Sequence, residues 1–244
     1  LGGQALNLFR TWKGEDIQGN LKELLESVST DRNIDVHLDT ELGRVEGFVG
    51  NFRSTLSVKG TEQVVEHGVA VIATGAEELK PDEYLYGKDP RVLTHLELDR
   101  RFMEGDPSLK TLRTAVFLQC VGSREPERPY CSRVCCTHPM ESALHLKQLN
   151  PDMNLYVLYR DIRSYGEREY VYRKARSEGI LFSQYSRDRK PTVRAGADGL
   201  RIELFDRNLG QTVELRADLL ALASAIVPHK AEGLARLFKV PLNQ

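Results

Sequence analysis

Long apolar runs are missing from this 244-residue sequence. None approaches the roughly 20 residues a helix needs to span a bilayer, and the start at Leu1 does not read as a signal peptide. An excess of charge is missing as well. With 34 Lys and Arg against 35 Asp and Glu, the formal charge is −1, which gives no reason to name nucleic acid or an anionic membrane as the main partner. No repeat or low-complexity segment occurs. The glycine fingerprint G-x-G-x-x-G is absent, and so is the C-x-x-C of redox disulfides. Cysteine itself is absent outside residues 120–136.

What is present suits an ordinary globular protein. With 41% hydrophobic and 28% charged residues, the chain can bury a core in one large domain or two small ones. It reads as cytoplasmic, a reducing setting in which clustered cysteines point to metal ligands or redox thiols rather than structural disulfides. The abrupt LGGQALNL and FKVPLNQ ends make Leu1 and Gln244 read as cut points in a longer polypeptide.

Hydrophobic spacing predicts alternating helices and strands. Ile17, Leu21, Leu24, Leu25 and Val28 mark one helix face between Gly14 and Asp31. Strands are expected at Ile34–Leu38, across Arg44–Val58 with glycine interruptions, and at Gly68–Gly75, whose GVAVIATG is apolar enough for a buried strand. A loop over Pro81–Pro90 leads to a helix near Leu96–Met103. Then TAVFLQC (Thr114–Cys120) reads as a buried strand, with a helix from Pro139, a strand at Asn154–Asp161, a helix ended by Gly179 and a strand in ILFSQY. This β-α-β-α-β order implies a parallel sheet with right-handed crossovers. Thr192–Ser224 reads as a β meander. The class is α/β, a parallel sheet plus a meander.

The strand TAVFLQC runs into CVGSREPERPYCSRVCC, which places Cys120, Cys131, Cys135 and Cys136 (C-x10-C-x3-C-C) before a helix. A dinucleotide-binding unit would put its glycine fingerprint at that turn, yet only Gly122 is present there. Four thiolates at a helix N-terminus suit a 4Fe-4S cluster, whose anionic charge the helix dipole would offset. Tetrahedral zinc competes, although structural zinc sites usually take ligands as C-x2–4-C pairs and adjacent cysteines fit that awkwardly. Inert or redox-active thiols are the third reading. His138 reads as a solvated or supporting residue rather than a ligand. Arg160, Asp161, Arg163 and Tyr165 read equally as a partner or polarising site and as a surface ion-pair network. REYVYRKAR reads as a solvated helix face with its tyrosines turned inward.

Six motifs, CVGSRE, YCSRVCC, YVLYRDIRSYG, EGFVGNF, IATGAEE and LGGQALNL, resemble the A subunit of heterodisulfide reductase and its bacterial relatives over almost the whole chain. The resemblance implies a thioredoxin-reductase-like FAD/NAD(P)-binding, Rossmann-type fold and an oxidoreductase component that relays electrons between FAD and a 4Fe-4S cluster. It implies that Cys120, Cys131, Cys135 and Cys136 hold the cluster, and that Gly2, Gly3, Gln4, Thr74, Gly75 and Ala76 approach FAD. It further implies partner subunits of a heterodisulfide-reductase-like complex, an electron-donating dehydrogenase or hydrogenase, and a homodimer as one oligomeric state. The expected division is 1–112 as part of an FAD-binding domain lacking its glycine-rich unit, 113–228 as a nucleotide-domain-like unit carrying the cysteine loop, and 229–244 as a return to the first. The ferredoxin-like insertion of many family members after GNFRSTL is absent. Glu141 stands where relatives generally carry a lysine near the flavin, which leaves open whether the flavin bifurcates electrons. A zinc-binding or metal-free scaffold that docks partner subunits is the alternative function. A pyridine-nucleotide disulfide reductase fits poorly without C-x-x-C and a second glycine fingerprint.

Overall fold

The computed structural model describes residues 1–242. Its contacts divide the described residues into two compact units, one of 1–2, 21–76 and 228–242, the other of Gly3–Asn20 and Glu77–Val227. Residues 77–112 pack with the parallel sheet that follows them.

The first unit takes in most of α1 (Ile17–Thr30) and an antiparallel sheet of β1 (Thr40–Phe48), β2 (Asn51–Val58) and β3 (Thr61–His67), in the order β1-β2-β3. Of the glycines within the expected strand over 44–58, Gly50 lies in the tight turn of a hairpin in which Phe48 pairs with Asn51, while Gly47 pairs with Phe52 inside β1. Two expected strands do not form. Ile34–Leu38 joins no ladder, and Ile34, Val36 and Leu38 are exposed. Gly68–Gly75 is likewise outside every strand, with Val69 70% and Val71 86% exposed. An apolar run favours burial, but a strand also needs a neighbour to take up its backbone hydrogen bonds, and among the described strands none pairs with this stretch.

The second unit holds the larger core. Along it follow most of β4 (Ala76–Glu78), then β5 (Val92–Thr94), α2 (His95–Met103), β6 (Thr114–Val121), α3 (His138–Leu149), β7 (Asn154–Tyr159), α4 (Glu169–Ser177), β8 (Leu181–Gln184), β9 (Thr192–Gly196), β10 (Gly199–Asp206), β11 (Gln211–Ala217), β12 (Leu219–Ser224) and most of β13 (Ile226–Pro228). A last helix, α5 (Glu232–Phe238), belongs to the first unit. The parallel sheet has the order β5-β12-β6-β7-β8. β9, β10 and β11 form a separate antiparallel meander, but Leu219–Ser224, expected to close it, instead pairs in parallel with β5 and β6, where its apolar run is buried on both faces.

The strands β6 and β12 are buried along almost their whole length, as expected for a parallel sheet covered on both faces. One face packs Leu98, Phe117, Met140, Leu146 and Leu155 against the helices. The other packs Val116, Leu118 and Leu222 against Leu200, Ile202 and Leu204 of the meander. Thr94 caps α2 in a capping box with Glu97. In α4, Val171 and Ala175 face the core, but Tyr170 is 70% exposed, so only Tyr172 turns inward as expected, its ring 4.9 Å from that of Phe182. The described residues include no helix long and apolar enough to cross a membrane.

Candidate functional site

The cysteine loop lies at the C-terminal end of the central strand, the position where open α/β sheets place their ligands. β6 pairs Leu118 with Leu222 of β12, and then Val121 with Ser224. Two residues, Gln119 and Cys120, therefore stand opposite the single Ala223, which is a β-bulge. Cys120 takes up the bulge in a left-handed conformation, φ 62°, which a residue with a Cβ adopts rarely and which re-aims its side chain. Gly122, Arg124 and Arg133 also have positive φ, so the chain turns sharply on both sides of the loop.

The fold draws three of the four thiols together. Cys120, Cys135 and Cys136 are buried and interact directly, Cys135 between the other two. A hydrogen bond from Cys135 holds the Cys120 thiol down to about 6 against the opposing effect of burial, and the Arg124 and Arg160 guanidinium groups lower it further. Cys135 shifts strongly upward as the shared donor to Cys120 and Cys136. Cys136 shifts downward, chiefly through Cys135, and its Sγ lies 3.6 Å from the Asp161 carbonyl oxygen. Cys131 is only partly buried, and its Sγ accepts the Arg133 N–H at 3.4 Å. Among the described residues, no three or more His, Cys, Asp and Glu side chains are arranged to hold a single metal ion.

The surroundings suit a buried polar guest. Gln119 is fully enclosed with neither side-chain amide atom hydrogen-bonded, and the Ser123 and Ser224 hydroxyls are buried without partners. All three flank Cys120 and Val121 along the chain or across the ladder. Buried polar groups are nearly always paired, so three orphans around one bulge mark a place where a further partner fits. α3 opens after Cys136 with no side-chain cap at Thr137 and with Pro139 in its first turn, which leaves the positive end of its dipole beside the thiols.

Charged groups clamp the loop. Arg124 lies 3.9 Å from Cys120 Sγ and 2.5 Å from the Asp161 carboxylate. Arg160 pairs with Glu125 and donates to the Arg124 carbonyl at 3.1 Å. Lys190 reaches Glu125 at 3.1 Å. Of the residues expected in YRDIRSYG, Asp161 pairs with Arg124 and Arg163, the buried Arg160 pairs separately with Glu125, and Tyr165 is exposed. Arg124, Glu125 and Gln119 do not stand out in the sequence, because nothing in their spacing signals a network closed by residues some 35 positions away.

His138 does not join the thiols through its ring. Its Nε2 lies 3.0 Å from both carboxylate oxygens of Asp99, a buried residue that also accepts the Phe9 N–H. Asp99, His138 and Glu141 line a cavity of about 410 Å³ with Phe9, Trp12 and Lys174. Burial raises the Glu141 carboxyl above its ordinary value, while Lys174 and His138 oppose the shift.

The six residues expected near a flavin are divided between the units. Gly2, Thr74, Gly75 and Ala76 belong to the first, Gly3 and Gln4 to the second. Gly3 and Gly75 have positive φ, and a Cβ on either would meet nothing within 4 Å, so each leaves backbone open to a close approach.

No family model matches the chain. In sequence it is 31% identical over 201 residues to the A subunit of the H(2)/formate:CoB-CoM heterodisulfide,ferredoxin reductase of Methanococcus maripaludis, a match covering 75% of this chain and 30% of that one. It is 33% identical over 189 residues to the iron-sulfur A subunit of the CoB--CoM heterodisulfide reductase of Methanocaldococcus jannaschii, covering 70% and 28%. The chain thus spans under a third of the length of these relatives. In fold it is similar to T. acidophilum thioredoxin reductase, with a TM-score of 0.57 at 11% identity, covering 100% of this chain and 71% of that one. Lactococcus lactis thioredoxin reductase gives a TM-score of 0.57 at 15% identity, covering 96% and 69%. The fold is therefore the α/β fold of thioredoxin-reductase-like FAD/NAD(P)-binding proteins. The chain is a relative of the heterodisulfide reductase A subunit, matching a segment of under a third of that polypeptide.

Proposed function

We propose that the chain is part of an oxidoreductase component of a heterodisulfide-reductase-like complex, in which Cys120, Cys131, Cys135 and Cys136 hold a 4Fe-4S cluster close to a bound FAD. The observation that carries this reading is the set of three buried, interacting thiols on a bulged strand end, ringed by polar groups that lack partners. When bound, such a cluster supplies one-electron transfer. Cys120, Cys135 and Cys136 would present sulfur to it from inside the unit, and Cys131, in the more open part of the loop, would supply the fourth. The buried sheet shields the site from water, and Arg124 and Arg160 offset its negative charge.

The fit to FAD is partial. Gly3 and Gly75 offer open backbone, whereas the glycine-rich unit that would hold the pyrophosphate is absent from these 244 residues. Gly2, Gly3, Gln4, Thr74, Gly75 and Ala76 would contribute flavin contacts within the longer polypeptide, and the partner subunits, a dehydrogenase or hydrogenase donor, and any bifurcation of electrons belong to that assembly.

The test is anaerobic quantification of iron, sulfide and flavin in the purified chain. About four irons and four sulfides per chain, with broad visible absorbance bleached by dithionite, is the expected result. A colourless protein with zinc and no sulfide would overturn it.

A further inference from the structure

We propose that Arg124 and Asp161 act as a charge pair that sets how readily the thiol-held centre accepts an electron; this rests on the reading that the four cysteines carry a 4Fe-4S cluster. Arg124 sits in the left-handed region, φ 58°, four residues beyond Cys120. That backbone turn brings its guanidinium back toward the strand end it has just left. One terminal nitrogen lies 3.9 Å from Cys120 Sγ, and the other lies 2.5 Å from the Asp161 carboxylate. The Arg124 side chain is 23% exposed and the Asp161 side chain 47% exposed, so the cation lies in the less screened of the two positions.

The geometry is held from outside the pair. Arg160, buried and paired with Glu125, donates to the carbonyls of Ser123 and Arg124, which fixes the backbone that carries the guanidinium. Arg163 approaches the same Asp161 carboxylate at 3.6 Å, and the Asp161 carbonyl lies against Cys136. Arg124 therefore meets the thiol group with its charge, whereas Asp161 meets it through its neutral backbone carbonyl and holds its carboxylate on the Arg124 and Arg163 guanidinium groups. A fork-shaped guanidinium suits such a two-point contact better than a lysine.

The step concerned is the transfer of one electron from an external reductant, which is oxidised by one electron, with no bond made or broken. The centre becomes more negative by one charge. A fixed cation in contact with a ligand sulfur favours the reduced state, and a nearby carboxylate disfavours it. Removing each should therefore shift the equilibrium in opposite directions, a result that general loosening of the loop does not give. Both residues act through the cysteines as positioning residues.

The experiment uses the anaerobically prepared chain carrying iron and sulfide, titrated with dithionite in the presence of redox mediators and followed by absorbance and electron paramagnetic resonance. Arg124→Met should retain iron and sulfide and lower the equilibrium constant for one-electron reduction at least tenfold, a fall of about 59 mV in midpoint potential. Asp161→Asn should raise that constant by about threefold, a smaller change because the carboxylate is half exposed. Loaded variants with unchanged potentials, or shifts of the same sign, would overturn the pair's role. If Arg124→Met does not load, Asp161→Asn decides alone: a rise supports the proposal, and no change or a fall overturns it. Absence of iron and sulfide from the unsubstituted protein would instead sink the cluster reading itself, before any variant is measured.

Discussion

The hydroxyl of Tyr185 donates a 2.5 Å hydrogen bond to the backbone carbonyl of Gln119, the residue before Cys120, and both residues are closed off from solvent. Tyr185 follows the edge strand β8, so this bond ties the edge of the sheet to the bulge at its centre. Tyr185→Phe keeps the ring but strands a buried carbonyl. The expected loss is about 1–3 kcal/mol of stability, the cost of leaving such an acceptor unsatisfied, read as a lower urea midpoint with an unchanged slope.

The pair of Arg160 and Glu125 should weigh more. Their side chains are 7% and 12% exposed, and breaking a buried ion pair from one side costs about 3–5 kcal/mol. Arg160→Met should fall near the lower end of that range, because Lys190 still reaches Glu125 at 3.1 Å. Adding Glu125→Leu to Arg160→Met should recover part of the loss. Urea unfolding of the two proteins checks both statements; a single variant as stable as the unsubstituted chain would contradict the clamp.

Acid should destabilise the protein through His95. This residue is 4% exposed, neither ring nitrogen has a hydrogen-bond partner, and its ring centre lies 5.1 Å from that of His138. Burial, with His138 adding, pushes its pKa well below the ordinary 6.5. The unfolded chain takes up a proton near 6.5 while the folded chain refuses it. The stabilisation is thus complete above pH 6.5 and is lost as pH falls from there toward the folded value. The slope reaches at most about 1.4 kcal/mol per pH unit for one proton. His95→Phe should flatten that part of the stability curve, measured by denaturant unfolding from neutral pH down to about pH 5.

Serine substitutions should rank the cysteines. Cys135 lies between Cys120 and Cys136 and is buried, whereas Cys131 is partly exposed and stands in a separate contact with Arg133. Cys135→Ser should abolish iron and sulfide binding. Cys131→Ser should leave a residual, more oxygen-sensitive absorbance. Equal retention of iron in both variants would count against the cluster assignment.

Much of the second unit was legible in the sequence. TAVFLQC and NLYVLYRD are short apolar runs bounded by turn residues, and they form buried parallel strands β6 and β7, whereas Leu219–Ser224, read as the end of the meander, joins the parallel sheet as β12. Pro139 and Gly179 mark a helix start and a helix end where φ and the missing N–H dictate them. The first unit was read less well. Gly68–Gly75 has the composition of a buried strand yet stays outside every ladder, since a strand is completed by a neighbour that composition does not name.

The cysteine site divides in the same way. The sequence by itself determined that all the thiols lie within residues 120–136, between a buried strand and a helix, because chain proximity and hydrophobic periodicity are local properties. Tertiary structure decided which thiols meet: the bulge opposite Ala223 turns Cys120 toward Cys135 and Cys136 and leaves Cys131 aside. It also decided that Arg124, Asp161, Arg160 and Glu125 surround them. Those partners converge because parallel strands β6 and β7 end side by side, an adjacency fixed by hydrogen bonding across the sheet and invisible in the order of residues along the chain.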